Sequence, residues 1–353
     1  MSVERPIRFG ICGLGFMGRQ YFAHLRGHAH AEVVAVCDLD GERRAGRWDD
    51  AVGNVGVREG ARVDMTGIDT SADWHEIIAN DRVDVVAITL PTPMHAEVTI
   101  SALAADKHVL CEKPMALTLA DCDRMVAAAE GAGRTLMIAH CIRFWPQYEE
   151  IKRRVDGGEI GAVRFAALRR LSAPPGHSYG AWMLDGARSG GALLDLHLHD
   201  VDFAQHLLGV PDAVNAVGAP GVSGRIDHVM ATYTYTDGRY ALIEGGWLPH
   251  LPWPFEMAIS VVGGNGMLDW SLQRGAEVHL HRAGQSPETI SVSAETGWSR
   301  ELDYLIDCMG SGRPAQRCLP RSARTSIALA LLERESIESG LARSVSESVR
   351  GVC

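Results

Sequence analysis

The chain has 353 residues, of which 46% are hydrophobic and 22% are charged, and its formal net charge is −10 at pH 7. This length predicts two domains, and the composition is typical of a soluble globular protein. The negative charge and the absence of Lys/Arg-rich runs argue against nucleic acid as the main partner. No apolar stretch reaches the ~20 residues that a membrane span requires, so we expect no membrane association.

The eight cysteines are scattered along the chain, and none forms a C-x-x-C pair. The N-terminus runs directly into a strand-like segment without a signal-peptide pattern. We therefore expect a cytoplasmic protein with reduced thiols rather than disulfides or cysteine-bound zinc.

The first part of the chain alternates between strand-like and helix-like segments. The strands are continuous apolar runs, which is typical of parallel strands covered on both faces. They are predicted at 7–13, 32–38, 83–91, 108–114 and 135–141. Helices are predicted at 70–80, 94–106 and 118–133, and a surface loop at 53–64. This alternation predicts an α/β fold with a doubly wound parallel sheet.

The second part of the chain predicts an α+β domain with a mostly antiparallel sheet. A Pro/Gly-rich loop at 173–191 separates a strand from a helix, and "TDGR" at 236–239 is a hairpin signal. Strands are predicted at 162–172, 228–236, 239–247 and 255–264, and helices at 147–161, 190–208, 297–311 and 321–339. We place the two domains at 1–122 and 123–353.

A glycine pattern follows the first predicted strand. Gly13, Gly15 and Gly18 form G-x-G-x-x-G between that strand and a helix. Gly13 permits a tight turn, Gly15 lets a pyrophosphate approach the backbone, and Gly18 lets helix and strand pack closely. The helix N-terminus offers N–H groups and the positive end of its dipole. This arrangement predicts a dinucleotide site.

Asp38 ends the next strand, about 20 residues further on, where the dinucleotide-binding pattern places an acidic residue. A carboxylate there accepts hydrogen bonds from the ribose hydroxyls of NAD and repels the 2′-phosphate of NADP, so NAD is favoured. Arg43 and Arg44 follow closely and argue in the other direction. A structural glycine turn with a helix-capping aspartate is the alternative interpretation.

Lys113 lies in "CEKPM", at the end of the strand 108–114. Ligands of doubly wound sheets bind at the carboxyl ends of the strands. The chain has only three lysines, and a lysine, unlike an arginine, can exchange its proton as well as supply a point charge. We therefore expect Lys113 to act on the substrate; a solvent-facing lysine is the alternative.

The stretch "LLDLHLHDVD" at 193–202 places two histidines and three aspartates in ten residues. On one helix Asp195 and His199 share a face, whereas His197 points away from both. Two histidines spaced in this way cannot bind one ion from a helix, so we expect no metal site here. Taken alone, such a pair is more often structural; together with the glycine turn and Lys113, an aspartate that orients a proton-accepting imidazole is favoured.

Four motifs together resemble the Gfo/Idh/MocA oxidoreductases, the family of glucose–fructose oxidoreductase and inositol dehydrogenase. They are the glycine turn, "TLPTPMHAEVTISALAADKHVLCEKPMA", "IRFWPQYEEIKRRVDGGEIGAV" and "SGGALLDLHLHDVD". The resemblance implies a Rossmann domain and a second domain with an open-faced sheet that makes homodimer or homotetramer contacts. In the fourth motif His197 stands where family members often carry glycine.

The resemblance also implies roles for individual residues. Lys113, Asp195 and His199 occupy the catalytic positions, with His199 as general acid/base. The implied cofactor site comprises Gly13, Gly15, Phe16, Met17, Gly18, Asp38, Leu90, Thr92, His95, Glu112 and Lys113. The candidate substrate residues are Lys113, Arg143, His177, Tyr179, Trp182, Asp195, His199 and Trp247.

The implied function is hydride transfer between NAD(P) and a carbinol or keto carbon of a sugar or cyclic polyol, with NAD preferred. Two alternatives remain open. One is a glycoside hydrolase that oxidises its substrate transiently with a retained NAD. The other is a non-catalytic dinucleotide-binding sensor, which we disfavour because Lys113, Asp195 and His199 are all present.

Overall fold

The computed structural model describes residues 5–48, 62–176, 178–248 and 253–350. The chain divides into two compact units. The first comprises the described residues of Met1–Ala139, His177–Trp182 and Trp298–Arg324, and the second those of His140–Gly176, Met183–Gly297 and Thr325–Cys353. The domain boundary after residue 122 stays a prediction, although a helix crosses it. Most of the loop expected at 53–64 lies outside the described residues.

The elements alternate in the first half of the chain and become mostly strands in the second. The helices are α1 (Phe16–Arg26), α2 (Gly41–Arg44), α3 (Trp74–Ala79), α4 (His95–Ala104), α5 (Leu119–Ala132), α6 (Pro146–Asp156), α7 (Gly186–Ser189), α8 (Leu198–Leu208), α9 (Gly297–Gly310), α10 (Pro320–Ser339) and α11 (Glu347–Arg350). The strands are β1 (Ile7–Cys12), β2 (Ala31–Cys37), β3 (Asp69–Ser71), β4 (Val85–Ile88), β5 (His108–Glu112), β6 (Leu136–Ala139), β7 (Val163–Ser172), β8 (Ala213–Pro220), β9 (Ile226–Thr234), β10 (Tyr240–Trp247), β11 (Glu256–Gly263), β12 (Met267–Ser271), β13 (Val278–His281), β14 (Glu288–Ile290) and β15 (Arg343–Ser344).

The first unit contains a six-stranded parallel sheet in the order β3-β2-β1-β4-β5-β6. The predicted doubly wound sheet and its five predicted strands are confirmed. The central strand β4 and the edge strand β6 are both buried along their whole length, as expected for strands covered on both faces.

The helix predicted in the segment 70–80 is present, and Ser/Thr and Asp were its expected capping options. The first residues of the segment belong instead to β3, which pairs with β2. The helix α3 begins only after Asp73, whose carboxylate accepts a hydrogen bond from the backbone N–H of His75 at 3.0 Å. Asp73 is therefore the cap, and the Thr and Ser before it are in an extended segment.

The second unit contains a nine-stranded sheet in the order β14-β13-β12-β11-β7-β10-β9-β8-β15. Among the described strands its pairs are antiparallel except β7 with β10. The mostly antiparallel sheet and the hairpin at 236–239 are confirmed, and Gly238 in that turn has a φ of 86°. The strands β8 and β12–β15 were not predicted, because they are short or rich in polar and small residues.

The nine-stranded sheet has one covered face and one open face. Helix α8 and the segment Leu193–His197 before it pack against strands β7, β9 and β10. On the other face four large apolar side chains are exposed: Val217 (64%), Met230 (51%), Leu242 (44%) and Tyr240 (37%). Glu244 follows Tyr240 and Leu242 at every second position along β10 and forms an ion pair with Arg169, so this face carries apolar side chains around a charged pair.

The seven cysteines from Cys12 to Cys318 are buried, and no disulfide joins them in the part of the chain that is described. Cys353 lies outside it. Among the described helices, none combines the length and the apolar character that a membrane span requires.

Candidate active site

The glycine turn joins β1 to α1 in the first unit. Gly13 has a φ of 99°, and a Cβ atom on it would lie 2.7 Å from the carbonyl oxygen of Thr89. A Cβ atom on Gly18 would lie 1.9 Å from the carbonyl oxygen of Gly13. Neither position tolerates a side chain, which agrees with the predicted turn and the predicted close packing of helix on strand.

Gly15 differs from its two neighbours, because a Cβ atom there would meet no described atom within 4 Å. It is the N-cap of α1, and within the described residues no side chain caps the helix and no acidic residue lies in its first turn. Phe16 and Met17 follow, half-buried, with the ring of Phe16 edge-on to Trp298 at 5.6 Å. Open space above an uncapped helix N-terminus fits a pyrophosphate.

Asp38 follows β2 and is held against the glycine turn. Its two carboxylate oxygens accept backbone hydrogen bonds from Leu14 at 2.7 Å and from Asp40 at 2.8 Å. Each carboxylate oxygen has a second lone pair, so acceptor capacity remains for a ribose diol. Arg44 donates to the carbonyl oxygen of Asp38 at 2.6 Å, and Arg43 lies 3.9 Å from its carboxylate. The donors and acceptors present fit NAD.

The loops that follow β4 and β5 lie side by side, because these strands are neighbours in the parallel sheet. His95 joins the two loops: its ring nitrogens lie 2.8 Å from the carbonyl oxygens of Leu90 and of Pro114. Burial lowers the pKa of His95, against the opposing effect of the two carbonyls. The side chain of His95 is 1% exposed, so its contacts favour a role in fixing the loops.

Thr92 is buried in the loop after β4, and Lys113 is half-buried at the end of β5, before a cis peptide bond to Pro114. Lys113 thus lies at the carboxyl edge of the sheet, as predicted from the sequence. Its backbone N–H donates to the carboxylate of Glu112 at 3.1 Å.

The buried carboxyl groups of Glu112, the last residue of β5, and Glu301 share one partner, Tyr21. The hydroxyl of Tyr21 lies 2.8 Å from an oxygen of Glu112 and 2.8 Å from an oxygen of Glu301. Burial raises the pKa of Glu301 well above its usual range, and the charge of Glu112 adds to this effect. One hydroxyl proton cannot serve two carboxylates, so a proton on Glu301 completes the pair of hydrogen bonds.

Sequence reasoning did not identify Tyr21 or Glu301. They are separated by 280 positions in the chain, and no local pattern marks either residue.

Asp195 and His199 lie in the second unit, on a segment that is not the single helix predicted at 190–208. Gly190 and Gly191 have φ values of 80° and 72° and end the preceding short helix α7. A π-helical turn then covers Leu193–His197 before α8 begins. The uniform α-helical spacing assumed from the sequence therefore does not hold across Asp195, and π-turns of this kind often occur at functional sites.

The two histidines of this segment have different surroundings. His197 is fully buried, with its Nε2 atom 2.9 Å from a carboxylate oxygen of Glu333. The other oxygen of Glu333 accepts a hydrogen bond from Tyr233 at 2.7 Å. A Cβ atom on Gly245 would lie 2.5 Å from the His197 ring, so only glycine leaves room for it. His199, in contrast, is half-buried.

Two candidate substrate residues lie inside the second unit. Arg143 forms two hydrogen bonds of 2.7 Å with Asp202. Burial alone would raise the pKa of Asp202, but Arg143 and His140 lower it to about 2. Trp247 is 2% exposed and packs against Ala192 and Leu196. These contacts are typical of residues that stabilise the interior of the unit.

The aromatic loop residues belong to the first unit. Tyr179 is 61% exposed, and its ring centre lies 5.3 Å from the guanidinium carbon of Arg43, next to Asp38. This position is beside the predicted ribose-binding carboxylate. Trp182 is half-buried, and His177 lies outside the described residues.

Comparisons with known proteins agree with this architecture. Residues 7–140 match the family model "Oxidoreductase family, NAD-binding Rossmann fold", and residues 148–269 match the "GFO/IDH/MocA C-terminal domain". Inositol 2-dehydrogenase of Salmonella typhimurium (strain LT2) is 31% identical over 320 residues, which are 87% of each protein.

Two further similarities extend the comparison. The 2,7-anhydro-N-acetylneuraminate hydratase of Escherichia coli (strain K12) is 28% identical over 278 residues, 76% of this chain and 69% of the relative. The structure of levoglucosan dehydrogenase with NADH and levoglucosan superposes with a TM-score of 0.83 at 20% identity, covering 97% of this chain and 100% of that one. The chain therefore belongs to the Gfo/Idh/MocA family of NAD-binding oxidoreductases.

Proposed function

We propose that the chain is an NAD-dependent dehydrogenase or reductase that acts on the CH–OH or keto carbon of a sugar or cyclic polyol. The observation that carries the cofactor part is the glycine turn, with open space at Gly15 and Asp38 held beside it. The substrate class rests on the similarity to inositol 2-dehydrogenase. NADP is disfavoured, because the Asp38 carboxylate would repel its 2′-phosphate.

The cofactor-binding residues divide into two groups. Gly13, Gly15, Phe16, Met17 and Gly18 would hold the pyrophosphate. Asp38 would bind the adenosine ribose, while Leu90, Thr92, Glu112 and Lys113 would line the nicotinamide side. His95 acts through the backbone of the loops that it joins.

Bound NAD⁺ supplies a hydride acceptor at its nicotinamide ring. The protein's own residues manage the proton and the oxygen charge. His199 takes the hydroxyl proton, Asp195 orients the imidazole, and Lys113 stabilises the charge that develops on the substrate oxygen. Stabilisation of this kind is usually the largest single contribution to catalysis. Arg143, His177, Tyr179, Trp182 and Trp247 remain predictions as substrate ligands.

The similarity to a hydratase of an anhydro-sugar favours one alternative. In that case the substrate would be oxidised transiently by a retained NAD, and no net NADH would form. Such an enzyme and a dehydrogenase would use the same cofactor turn, and they differ only in whether reduced cofactor accumulates.

The test is reduction of NAD⁺, and separately of NADP⁺, followed by absorbance with a panel of inositols, aldoses and anhydro-sugars. Lys113→Ala should lower kcat by at least ~10²-fold and change NADH affinity much less, because the ammonium acts mainly on the transition state while the glycine turn and Asp38 hold the cofactor. The matched control is Lys152→Ala, which removes a surface lysine paired with Asp156. Turnover close to wild type in Lys113→Ala would contradict the assignment.

A panel without absorbance change is also informative. Product analysis by mass spectrometry then distinguishes the two readings: conversion of an anhydro-sugar without NADH accumulation supports transient oxidation. No conversion in either assay, by a protein that binds NADH, supports a sensor instead.

A further inference from the structure

A cluster of metal-ligating side chains lies in the first unit, away from the proposed cofactor residues. His24 is in the last turn of α1, His28 follows four positions later, and Asp303 is in α9. One ligand atom from each residue lies within 4.8 Å of the other two. The cofactor turn is at the opposite end of α1, about 12 Å from His24 along the helix axis.

Both imidazoles approach the same carboxylate oxygen of Asp303. The Nε2 atom of His24 is 2.5 Å from it, and the Nε2 atom of His28 is 3.4 Å from it. Tetrahedral zinc, with bonds of 2.0–2.2 Å, separates its ligand atoms by about 3.3 Å. The distance from His28 already matches this value, and the His24 contact would lengthen by about 0.8 Å.

A structural ion pair is the simpler interpretation, because a protonated histidine stabilises a helix C-terminus. One imidazolium is enough to neutralise the Asp303 carboxylate. Here the rings of both His24 and His28 lie beside it, with their centres 5.7 Å apart. Two imidazole nitrogens that converge on one carboxylate oxygen form the kind of ligand set that holds a metal ion.

We propose that His24, His28 and Asp303 bind a divalent transition-metal ion of the zinc class, with water in the remaining positions. Two imidazoles and one carboxylate are ligands that zinc accepts, and their side chains are 20–36% exposed, which leaves an entry path. The backbone N–H of His30 donates to Nδ1 of His28 at 3.1 Å, and this bond is released when Nε2 binds the ion.

Such a site would tie the end of α1 to α9, two elements that are far apart in the sequence. Because α1 begins at the cofactor turn, bound metal would stabilise the unit that carries that turn. The expected consequence is a higher midpoint of thermal unfolding in the presence of Zn²⁺, since a ligand that binds only the folded state stabilises it. This inference does not depend on the proposed substrate or reaction.

The experiment is titration of the untagged, metal-free full chain with Zn²⁺ by calorimetry, and with Co²⁺ by its visible absorption. We expect one equivalent of metal to bind. His28→Ala and Asp303→Asn should each raise Kd at least tenfold, because removing a metal ligand weakens binding more than removing a residue that hydrogen-bonds to a ligand. The matched control is His75→Ala, which removes a single exposed His–Asp pair with Asp73.

NADH binding verifies that each variant is folded, and His28→Asn replaces His28→Ala if the latter is not. Absence of binding up to about 100 µM metal would overturn the proposal. So would weak binding to several of the 15 histidines, or equal affinity in the wild type and in the His28 and Asp303 variants.

Discussion

Glu301 illustrates how single residues in this protein depend on the interior around them. Its carboxyl group is fully buried against Tyr21 and close to Glu112, so its charged form is disfavoured. An unfolded chain releases this proton at a lower pH than the folded protein does. The contribution of Glu301 to folding stability is therefore fully present below the unfolded pKa and is lost as pH rises through the folded pKa.

Glu301→Gln should remove this pH dependence, because glutamine imitates the protonated acid. The free energy of unfolding of the variant, relative to wild type, should rise between pH 5 and pH 9. Glu301→Ala should instead lose about 1–3 kcal/mol by leaving the Tyr21 hydroxyl without that partner. Urea unfolding at several pH values measures both effects.

The control for this prediction is Glu150→Gln. Its hydrogen bond with Arg153 is the main cause that lowers the pKa of Glu150 to about 2, so its contribution is constant above pH 6. If the free energy of unfolding varies with pH in the same way for Glu301→Gln and for wild type, Glu301 is ionised in the folded protein and the prediction fails.

At the scale of elements, the π-helical turn Leu193–His197 is the feature that distinguishes the proposed catalytic segment. It begins after two glycines with positive φ and ends where α8 starts. His197 anchors the turn by its contact with Glu333, and Gly245 leaves the space that the ring occupies. A glycine at position 197 would not make this contact, so His197 gives the segment an anchor of its own.

His197→Asn should destabilise the protein by about 1–3 kcal/mol, because it removes the buried ring that lies 2.9 Å from the Glu333 carboxylate and leaves that oxygen without its nearest polar neighbour. If His199 carries the proton, the acidic limb of the pH–kcat profile should persist in His197→Asn and disappear in His199→Asn. The reverse pattern would assign the proton transfer to His197. Thermal unfolding and pH-rate profiles of the two variants provide the comparison.

At the scale of the whole molecule, the open face of the nine-stranded sheet is the feature that bears on association between copies of the chain. Met230 and Leu242 lie on neighbouring strands with their side chains exposed, and Phe165 and Tyr240 stack at 5.1 Å. We propose a homodimer or homotetramer in which this face is covered by another copy, since burial of apolar area is the main driving force of such association.

Met230→Glu combined with Leu242→Glu should dissociate the oligomer, because two added carboxylates would lose their hydration in the interface and repel Glu244, which pairs with Met230 across the strands. Sedimentation measurements should show a monomer over a concentration range in which the wild type stays associated. Leu319→Glu, at an exposed leucine of the first unit, is the control and should leave the mass unchanged. A wild-type protein that sediments as a monomer would contradict the proposal.

The sequence by itself determined the features that depend on neighbouring residues. Apolar runs predicted the parallel strands, the glycine spacing predicted the turn at Gly13–Gly18, and strand ends located Asp38 and Lys113. Each of these follows from a local pattern, because periodicity and backbone sterics act over a few residues.

Only the tertiary structure decided which distant side chains meet. It brought Glu301 to Tyr21, Glu333 to His197 and Asp303 to His24, and it replaced the predicted uniform helix by a π-turn. The physical reason is that buried polar groups must find partners wherever the packed chain supplies them, and no local pattern specifies those partners.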